Sequence, residues 1–383
     1  MWKMEANNYK DTKRIGNIAV ISSHTRSLCW FRIDMMKAFI SKGYDVVAVG
    51  QESESKWSNK FAQDGIVYKQ IYVERNGTNP IGDLRTLKEL NSFLREEKPD
   101  KIFCYQAKTV IYTCLAAKKN KIAEVYPLIP GLGSVFMGDS IKGKIVKFIL
   151  VKEYKIALKQ SRKVMFQNKD SVVVFVHDRI VDESKCVIIN GSGVDIKRFS
   201  VTPLPQQTVF LMISRLIKDK GVMEYLDASR LIKKRYPNIR FLLVGPYDSN
   251  PSSIKPEELQ KYVEDGTIEY FGEQEDVRPY INQASVFVLP SYYEGTPKTV
   301  LENMSCGRAI ITTDAPGCRE TVTDGVNGYL VPVKDAGAVA DKMQEFIDKP
   351  ELAIEMGSRG RKIVEEKYDV NKVNESIMEI MNI

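Results

Sequence analysis

Two short stretches of this sequence hold side chains whose types and spacing suit one kind of chemistry. In "LPSYYEGTPKTVLENMSCG" (289–307) two glutamates, Glu294 and Glu302, stand eight positions apart, and in "SRLIKDKG" (214–221) Arg215 and Lys220 stand five apart. Carboxylates accept hydrogen bonds from hydroxyls, and paired cations hold phosphate oxygens. Thr296-Pro297 reads as a helix N-cap followed by the first helical position. The backbone amides of Lys298, Thr299 and Val300 would then lack intrahelical partners and, with the positive end of the helix dipole, form an anion site. Glu302 follows, close enough to reach the hydroxyls of a group whose phosphate sits at the helix start. A sugar-nucleotide diphosphate has that shape. The bland alternatives are a loop acid followed by a solvated helix acid, and two exposed basic side chains. Taken together, the two stretches favour the anion site.

The elements that must position these residues are regular. Apolar runs suited to strands alternate with helical patterns: "NIAVIS" (17–22), "DVVAVG" (45–50), "IVYKQIYV" (66–73), "KIFCY" (101–105), "VYPLI" (125–129) and "KVMFQ" (163–167). The rhythm restarts at "TVFLMIS" (208–214) and continues through "FLLVG" (241–245), "IEYFG" (268–272), "VFVLP" (286–290) and "AIITT" (309–313). Near-continuous apolar strands separated by helices indicate parallel sheets covered on both faces. The expected fold is therefore α/β, with two doubly wound Rossmann-like domains. The boundaries read as 1–195, a linker over 196–207 with Pro203 and Pro205, 208–366, and a closing amphipathic helix over 367–383. Ligands of such sheets bind beyond the carboxyl ends of the strands, so the site belongs in an interdomain cleft. Arg215 directly follows a strand, and Lys220 and Glu294 lie in the loops just beyond strands.

Length and composition agree with two folded domains: 383 residues, 43% hydrophobic and 27% charged. The polar start and the lack of a long apolar run read as a cytoplasmic chain. The six cysteines form no CxxC pair, which argues against a zinc site or a disulfide framework. Charge is uneven: residues 1–200 carry 34 Lys/Arg against 21 Asp/Glu, a net +13, and residues 201–383 carry 22 against 28, a net −6. The first half calls for an anionic neighbour. Within it, residues 140–163 hold basic side chains at 142, 144, 147, 152, 155, 159, 162 and 163 against one acid, Glu153. Val146, Ile149, Leu150, Tyr154 and Ile156 can form an apolar stripe, so this segment reads either as a basic amphipathic helix on anionic lipid or as a core helix with a solvated basic face. No nucleic-acid-binding motif accompanies the charge.

The set "SRLIKDKG", "YFGEQEDV" and "LPSYYEGTPKTVLENMSCGRAIITTDAPGCRETVTDGVNGYLV" resembles the retaining glycosyltransferases of family four, which have the GT-B fold. The likeness covers the whole second domain. In the first domain "IPGLGSVF" (129–136) is similar to a signature of the branch that builds lipid-linked bacterial glycans. The resemblance implies that Arg215 and Lys220 bind the diphosphate of an NDP-sugar, UDP favoured, and that Glu302 holds the ribose. Glu294, Gly295, Thr296 and the amides of Lys298, Thr299 and Val300 would contact the transferred sugar and phosphates, and Gly272 and Glu273 the base. It further implies a polyprenyl-diphosphate-linked acceptor, no metal or other cofactor, retention of configuration, and a closing helix that crosses to the first domain. The acceptor or membrane side would use Gly131, Gly133, Lys144, Lys147, Lys152 and Lys155, placing the chain peripherally on the inner face of a bacterial membrane.

Two departures from the family stand out. The histidine that many members carry after the fourth strand is missing, since "CYQAKTVIY" (104–112) has Gln106, Ala107 and Lys108 there. The family's glycine pair in the first loop is also absent from "ISSHTRSLCWFR" (21–32), where His24 or Arg26 could face a substrate or simply lie on the surface. His177 reads as structural. Two other functions fit the same clamp, a sugar-nucleotide 2-epimerase and a nucleotide-sugar-binding regulator. The first needs protein acid–base groups, and the second needs no acceptor surface.

Overall fold

The computed structural model describes residues 14–74, 79–132, 136, 141–248 and 252–383; Gly133 and the side chain of Lys142 lie outside the described residues. Two parallel sheets organise the chain. The first contains β1 (Gly16–Ser22), β2 (Tyr44–Gly50), β3 (Val67–Gln70), β4 (Lys101–Tyr105), β5 (Val125–Ile129), β6 (Val164–Phe166) and β7 (Cys186–Ile188) in the order β3-β2-β1-β4-β5-β6-β7. The second contains β8 (Val209–Ile213), β9 (Arg240–Val244), β10 (Glu269–Tyr270), β11 (Val286–Leu289), β12 (Ala309–Thr313) and β13 (Gly328–Val331) in the order β10-β9-β8-β11-β12-β13. The strand order reverses between β1 and β4 in one sheet and between β8 and β11 in the other, which are the two points where a crevice opens.

The central strands are apolar on both faces because helices cover both. On one face of the first sheet, Leu28, Met36, Phe39, Trp57 and Phe61 pack with Phe103 and Tyr126; on the other, Leu90, Leu94, Val110, Tyr154 and Phe175 pack with Ile102 and Phe166. The second domain has a single contiguous core. Two edge strands lie outside the runs expected from the sequence: β7 is three residues long, and β13 is a four-residue Gly-Tyr-Leu-Val segment with half-buried positions.

The chain passes between the domains twice. After β7, Val194 pairs with the segment ahead of the last helix, its N–H donating to the Tyr368 carbonyl at 2.9 Å and its own carbonyl accepting from the Val370 N–H at 3.0 Å. A Cβ on Gly193, whose φ is +67°, would stand 2.6 Å from Val370 Cα, so only glycine allows this crossing. The proline-bearing segment that follows is strapped to the second domain. The buried Arg308 guanidinium donates to the carbonyls of Thr202 and Cys306, each at 2.7 Å, and of Ile281 at 3.0 Å.

The closing helix, Val370–Ile380, packs on the first domain with Val373, Ile377 and Met378 in the core beside Phe39, Phe103 and Tyr126. Lys101 Nζ donates to the Met381 carbonyl at 2.8 Å and ties down its end. Ile377 is fully buried, and truncation at such a site leaves a cavity costing about 2–5 kcal/mol. Ile377→Ala is therefore expected to lower the unfolding transition of the first domain by that amount. Calorimetry reads it, and an unchanged first-domain transition would show that the helix does not belong to that domain's core.

Candidate active site

At the second sheet's switch point, Arg215 and Lys220 follow β8 while Pro290 and Ser291 follow β11. The β8 loop is held by backbone bonds to its neighbour: Leu216 N–H to the Pro246 carbonyl at 2.9 Å and Lys218 N–H to the Ser252 carbonyl at 2.9 Å. It closes in a 3-10 turn over Lys218–Lys220. The Asp219 carbonyl accepts from the Tyr292 N–H at 2.9 Å and the Ser291 hydroxyl at 3.1 Å, which joins this turn to the "SYYEG" loop. Lys220 and Glu294 meet as a result, Nζ to Oε1 at 2.5 Å, both largely shielded from solvent. Arg215, more exposed, is paired with Asp248 at 2.7 Å. The structure thus brings together the clamp lysine and the loop glutamate, and sets the arginine one loop away.

The helix after this loop begins one residue later than its sequence suggests. Pro297 occupies the N-cap position with extended backbone, and the helix runs Lys298–Ser305. Thr296 does not cap it. Its amide donates to Gln167 Oε1 at 3.2 Å and its hydroxyl to the Gln167 carbonyl at 3.3 Å, both in the first domain. The Val300 amide is also taken, bonding the Pro297 carbonyl at 3.1 Å. Two amides, those of Lys298 and Thr299, remain without partners among the described residues.

Glu302 is buried on this helix. Burial pushes its carboxyl up to about 7, although Lys298 one turn earlier and Arg198 pull it down. The Lys298 side chain crosses the cleft, its ammonium donating to the Trp30 carbonyl and lying 5.5 Å from the Phe31 ring centroid. Burial lowers the pKa of that amine, while Glu302 and Asp34 act to raise it.

The first domain supplies the opposite wall. A Cβ on Gly295 would fall 2.1 Å from the Pro130 carbonyl and 2.4 Å from Gln167 Oε1, so the loop touches the ends of β5 and β6 more closely than any side chain permits. Gly131 backs onto the Tyr293 hydroxyl. Asn168, which caps the Lys169–His177 helix, donates from Nδ2 to the Glu294 carbonyl at 3.2 Å. Glu273 forms an exposed ion pair with Arg26 at 3.4 Å, and the Gly272 carbonyl accepts from the Gly245 N–H at 2.8 Å. His24 stands at the start of the Thr25–Ser41 helix, edge-on to Trp30. His177 is exposed and bonded to Asp178.

Gln167, Asn168, Trp30 and Asp248 were not singled out from the sequence. The only available signal was the polar pair directly after the apolar run of β6.

The basic segment forms a helix over Ile141–Ala157 and a 3-10 turn over Leu158–Gln160. Its apolar residues do not form one stripe. Tyr154 and Ala157 are buried and Leu150 packs beside them, whereas Ile145, Phe148, Ile149 and Ile156 are all more than half exposed. Ile149 and Ile156 therefore sit on the face opposite Leu150 and Tyr154, contrary to the single stripe expected. Lys144 and Lys152 are exposed, Lys147 and Lys155 half-buried. Lys152 lies over Phe148 at 4.3 Å from its ring centroid, and Lys147 lies over Phe136 at 5.4 Å. No helix among the described residues is long and apolar enough to cross a membrane.

Comparison with known proteins agrees with this architecture. Residues 17–168 match the glycosyl transferase 4-like family and residues 194–363 the glycosyl transferases group 1 family. The N,N'-diacetylbacillosaminyl-diphospho-undecaprenol alpha-1,3-N-acetylgalactosaminyltransferase of Campylobacter jejuni is 27% identical over 353 residues, 88% of this chain and 91% of that protein. The UDP-Gal:alpha-D-GlcNAc-diphosphoundecaprenol alpha-1,3-galactosyltransferase of Escherichia coli is 24% identical over 302 residues, 74% of this chain and 76% of that one. Among solved structures, Anabaena HepE in complex with UDP and glucose superposes with a TM-score of 0.78 at 17% identity, covering 96% of this chain and 99% of that one. Two parallel-sheet domains and family matches to both halves make this chain a GT-B glycosyltransferase, with a glycosyltransferase 4-like domain followed by a group 1 domain.

Proposed function

We propose that this enzyme moves a hexose or N-acetylhexosamine from an NDP-sugar, UDP-linked by preference, to a polyprenyl-diphosphate-linked glycan during assembly of a bacterial surface polysaccharide or glycoprotein glycan. The observation that carries the reading is the shielded Lys220–Glu294 pair, with Arg215 one loop away and two unpartnered helix amides just after the Glu294 loop. Donor diphosphate draws Arg215, Lys220 and the amides of Lys298 and Thr299 to its oxygens, without recourse to a metal ion. Glu302 accepts from the ribose hydroxyls, the backbone near Gly272 and Glu273 meets the base, and Glu294, released by Lys220, accepts from the transferred sugar. The names of the two lipid-linked-glycan relatives support the acceptor class, and the UDP held by the HepE structure supports the donor.

In the proposed reaction the bond from the anomeric carbon to the leaving phosphate oxygen breaks while a bond to the acceptor hydroxyl forms on the same face, retaining configuration. The acceptor proton passes to a leaving phosphate oxygen, which needs no protein base. The Ile141–Ala157 helix docks the enzyme on the inner membrane face. Ile145, Phe148, Ile149 and Ile156 enter the interface, and the lysines between them meet anionic headgroups.

Three outcomes test this reading. First, nucleotide release from a panel of UDP- and GDP-sugars should need a bacterial lipid extract containing polyprenyl-diphosphate glycans, and Phe148→Glu should weaken binding to anionic vesicles. Release that is indifferent to lipid, with unchanged vesicle binding, would remove both acceptor and dock. Second, Lys220→Ala should cut turnover by about 10²–10³-fold; near-normal transfer would dismiss the clamp.

Third, Glu302→Gln should weaken nucleotide affinity, and at the same time change the response of stability to pH. Because the folded state holds this carboxyl protonated up to about 7, its contribution to stability falls as pH rises from the ordinary carboxylate range through 7 and is level above it. Between pH 5 and pH 8 the wild type should therefore lose about 1–3 kcal/mol more than the variant. Urea titrations at the two pH values check this, and equal losses would refute the assignment.

A further inference from the structure

The two most exposed large apolar side chains among the described residues are neighbours on one helix, Ile81 at 82% and Leu84 at 68%. They belong to the first turns of the Pro80–Glu97 helix, which Asn79 caps by accepting from the Gly82 N–H at 3.3 Å. The helix cannot roll to hide them. Its opposite face, Thr86, Leu90, Phe93 and Leu94, is buried, and a Cβ on Gly82 would stand 2.7 Å from the Glu74 carboxylate. The exposed stripe continues with Arg85 and Lys88, four and seven positions after Ile81 and so on the same helical face. An apolar tip is thus followed by a basic shank. Arg85 lies over the Tyr72 ring at 4.2 Å from its centroid and pairs with Glu89 at 2.9 Å, whereas Lys88 is turned to solvent.

The Ile141–Ala157 helix repeats this composition, with Ile145, Phe148 and Ile149 exposed and Lys144 and Lys152 exposed beside them. Both helices press their inner faces into the same core, Leu90 and Leu94 from one and Leu150 and Tyr154 from the other, so their outer faces look away from the same side of the first sheet. The Ala107–Lys119 helix lies between them. Its Lys108 bonds Asp83 at 2.6 Å, and Glu153 lies close enough to feel both charges: burial and Asp83 push its carboxyl up while Lys108 pulls it down. The start of the Pro80–Glu97 helix is therefore level with the later turns of the Ile141–Ala157 helix. With packed helices about 8–10 Å apart, the Ile81–Leu84 tip stands roughly 16–20 Å to the side of that helix's axis.

We infer that the Ile81–Leu84 tip is a second membrane contact, which enters the interface of an anionic bilayer alongside the Ile141–Ala157 helix. The inference rests on that helix being a membrane dock. Charge decides for lipid over a protein partner. Arg85 and Lys88 adjoin the tip in a first half of net charge +13, and lysine beside an exposed apolar patch suits anionic headgroups, whereas the cores of protein interfaces are depleted of it. A single helix lying in an interface leaves the protein free to roll about that helix's axis. A second contact off the axis removes the roll. Both helices follow strands and so start at the carboxyl edge of the sheet, and the pair holds the cleft at one attitude to the bilayer.

Sedimentation of the full-length protein with vesicles of phosphatidylglycerol and phosphatidylcholine tests this, alongside thermal melting and calorimetric titration with UDP. The double variant Ile81→Glu/Leu84→Glu should melt and bind UDP like the wild type yet lose about tenfold or more in vesicle affinity, since only the lipid contact is removed. In Leu84→Trp the added indole should be quenched by vesicles carrying brominated acyl chains. If the double variant binds vesicles as the wild type does while Phe148→Glu does not, the Ile141–Ala157 helix docks alone and the inference fails with the membrane reading intact. If the wild type ignores the vesicles, the membrane reading itself falls, and this contact with it. If light scattering finds the wild type a dimer and the double variant a monomer, the tip is a self-association surface, which also overturns the inference.

Discussion

The close approach of Gly295 to the Pro130 carbonyl is the constraint on which the site depends. At that contact the loop bearing Glu294 touches both sheets, with Lys220 and Asp219 on one side and Gln167 and Asn168 on the other. Any Cβ at 295 would push the first domain away and undo the Thr296–Gln167 and Asn168–Glu294 bonds with it. The two domains are thereby held in a register that places the ends of β5 and β6 against the loop bearing Glu294.

Charge in the cleft is arranged so that no clamp cation stands alone. Arg215 has Asp248, Lys220 has Glu294, and Arg26 has Glu273. A shielded ammonium without a partner would lose its charge or destabilise the domain. In the proposed reaction a diphosphate, bringing more negative charge, takes the place of the carboxylates on Arg215 and Lys220. The exception is Glu302, which sits in the interior with its carboxyl raised to about 7. A group that weakens the folded state near neutral pH persists where a ligand needs it, which is the ordinary tension between stability and function at a binding site.

Both sheets, and the meeting of Lys220 with Glu294 at the second sheet's switch point, were legible in the sequence because each rests on local signals: apolar runs, helical spacing, and polar residues just beyond strands. What was not legible depends on distant partners. Thr296 looks like an N-cap, but its side chain bonds to Gln167, far away in sequence, and Pro297 takes the cap position. β7 and β13 are edge strands of only three and four residues, shorter than the apolar runs of the central strands. The apolar residues of the Ile141–Ala157 helix divide between two faces because only one face meets the core, and spacing alone cannot distinguish a stripe facing protein from one facing solvent.

The contacts that join the domains differ in kind along the cleft. Near the crossings they are shielded: the Val194–Val370 pairing, the Gly295–Pro130 contact, and Thr296 on Gln167. At the outer edge the Arg26–Glu273 pair has both side chains about half exposed, where an ion pair contributes about 0–1 kcal/mol and weakens with salt. Separation of the domains therefore costs less at that pair than at the crossings.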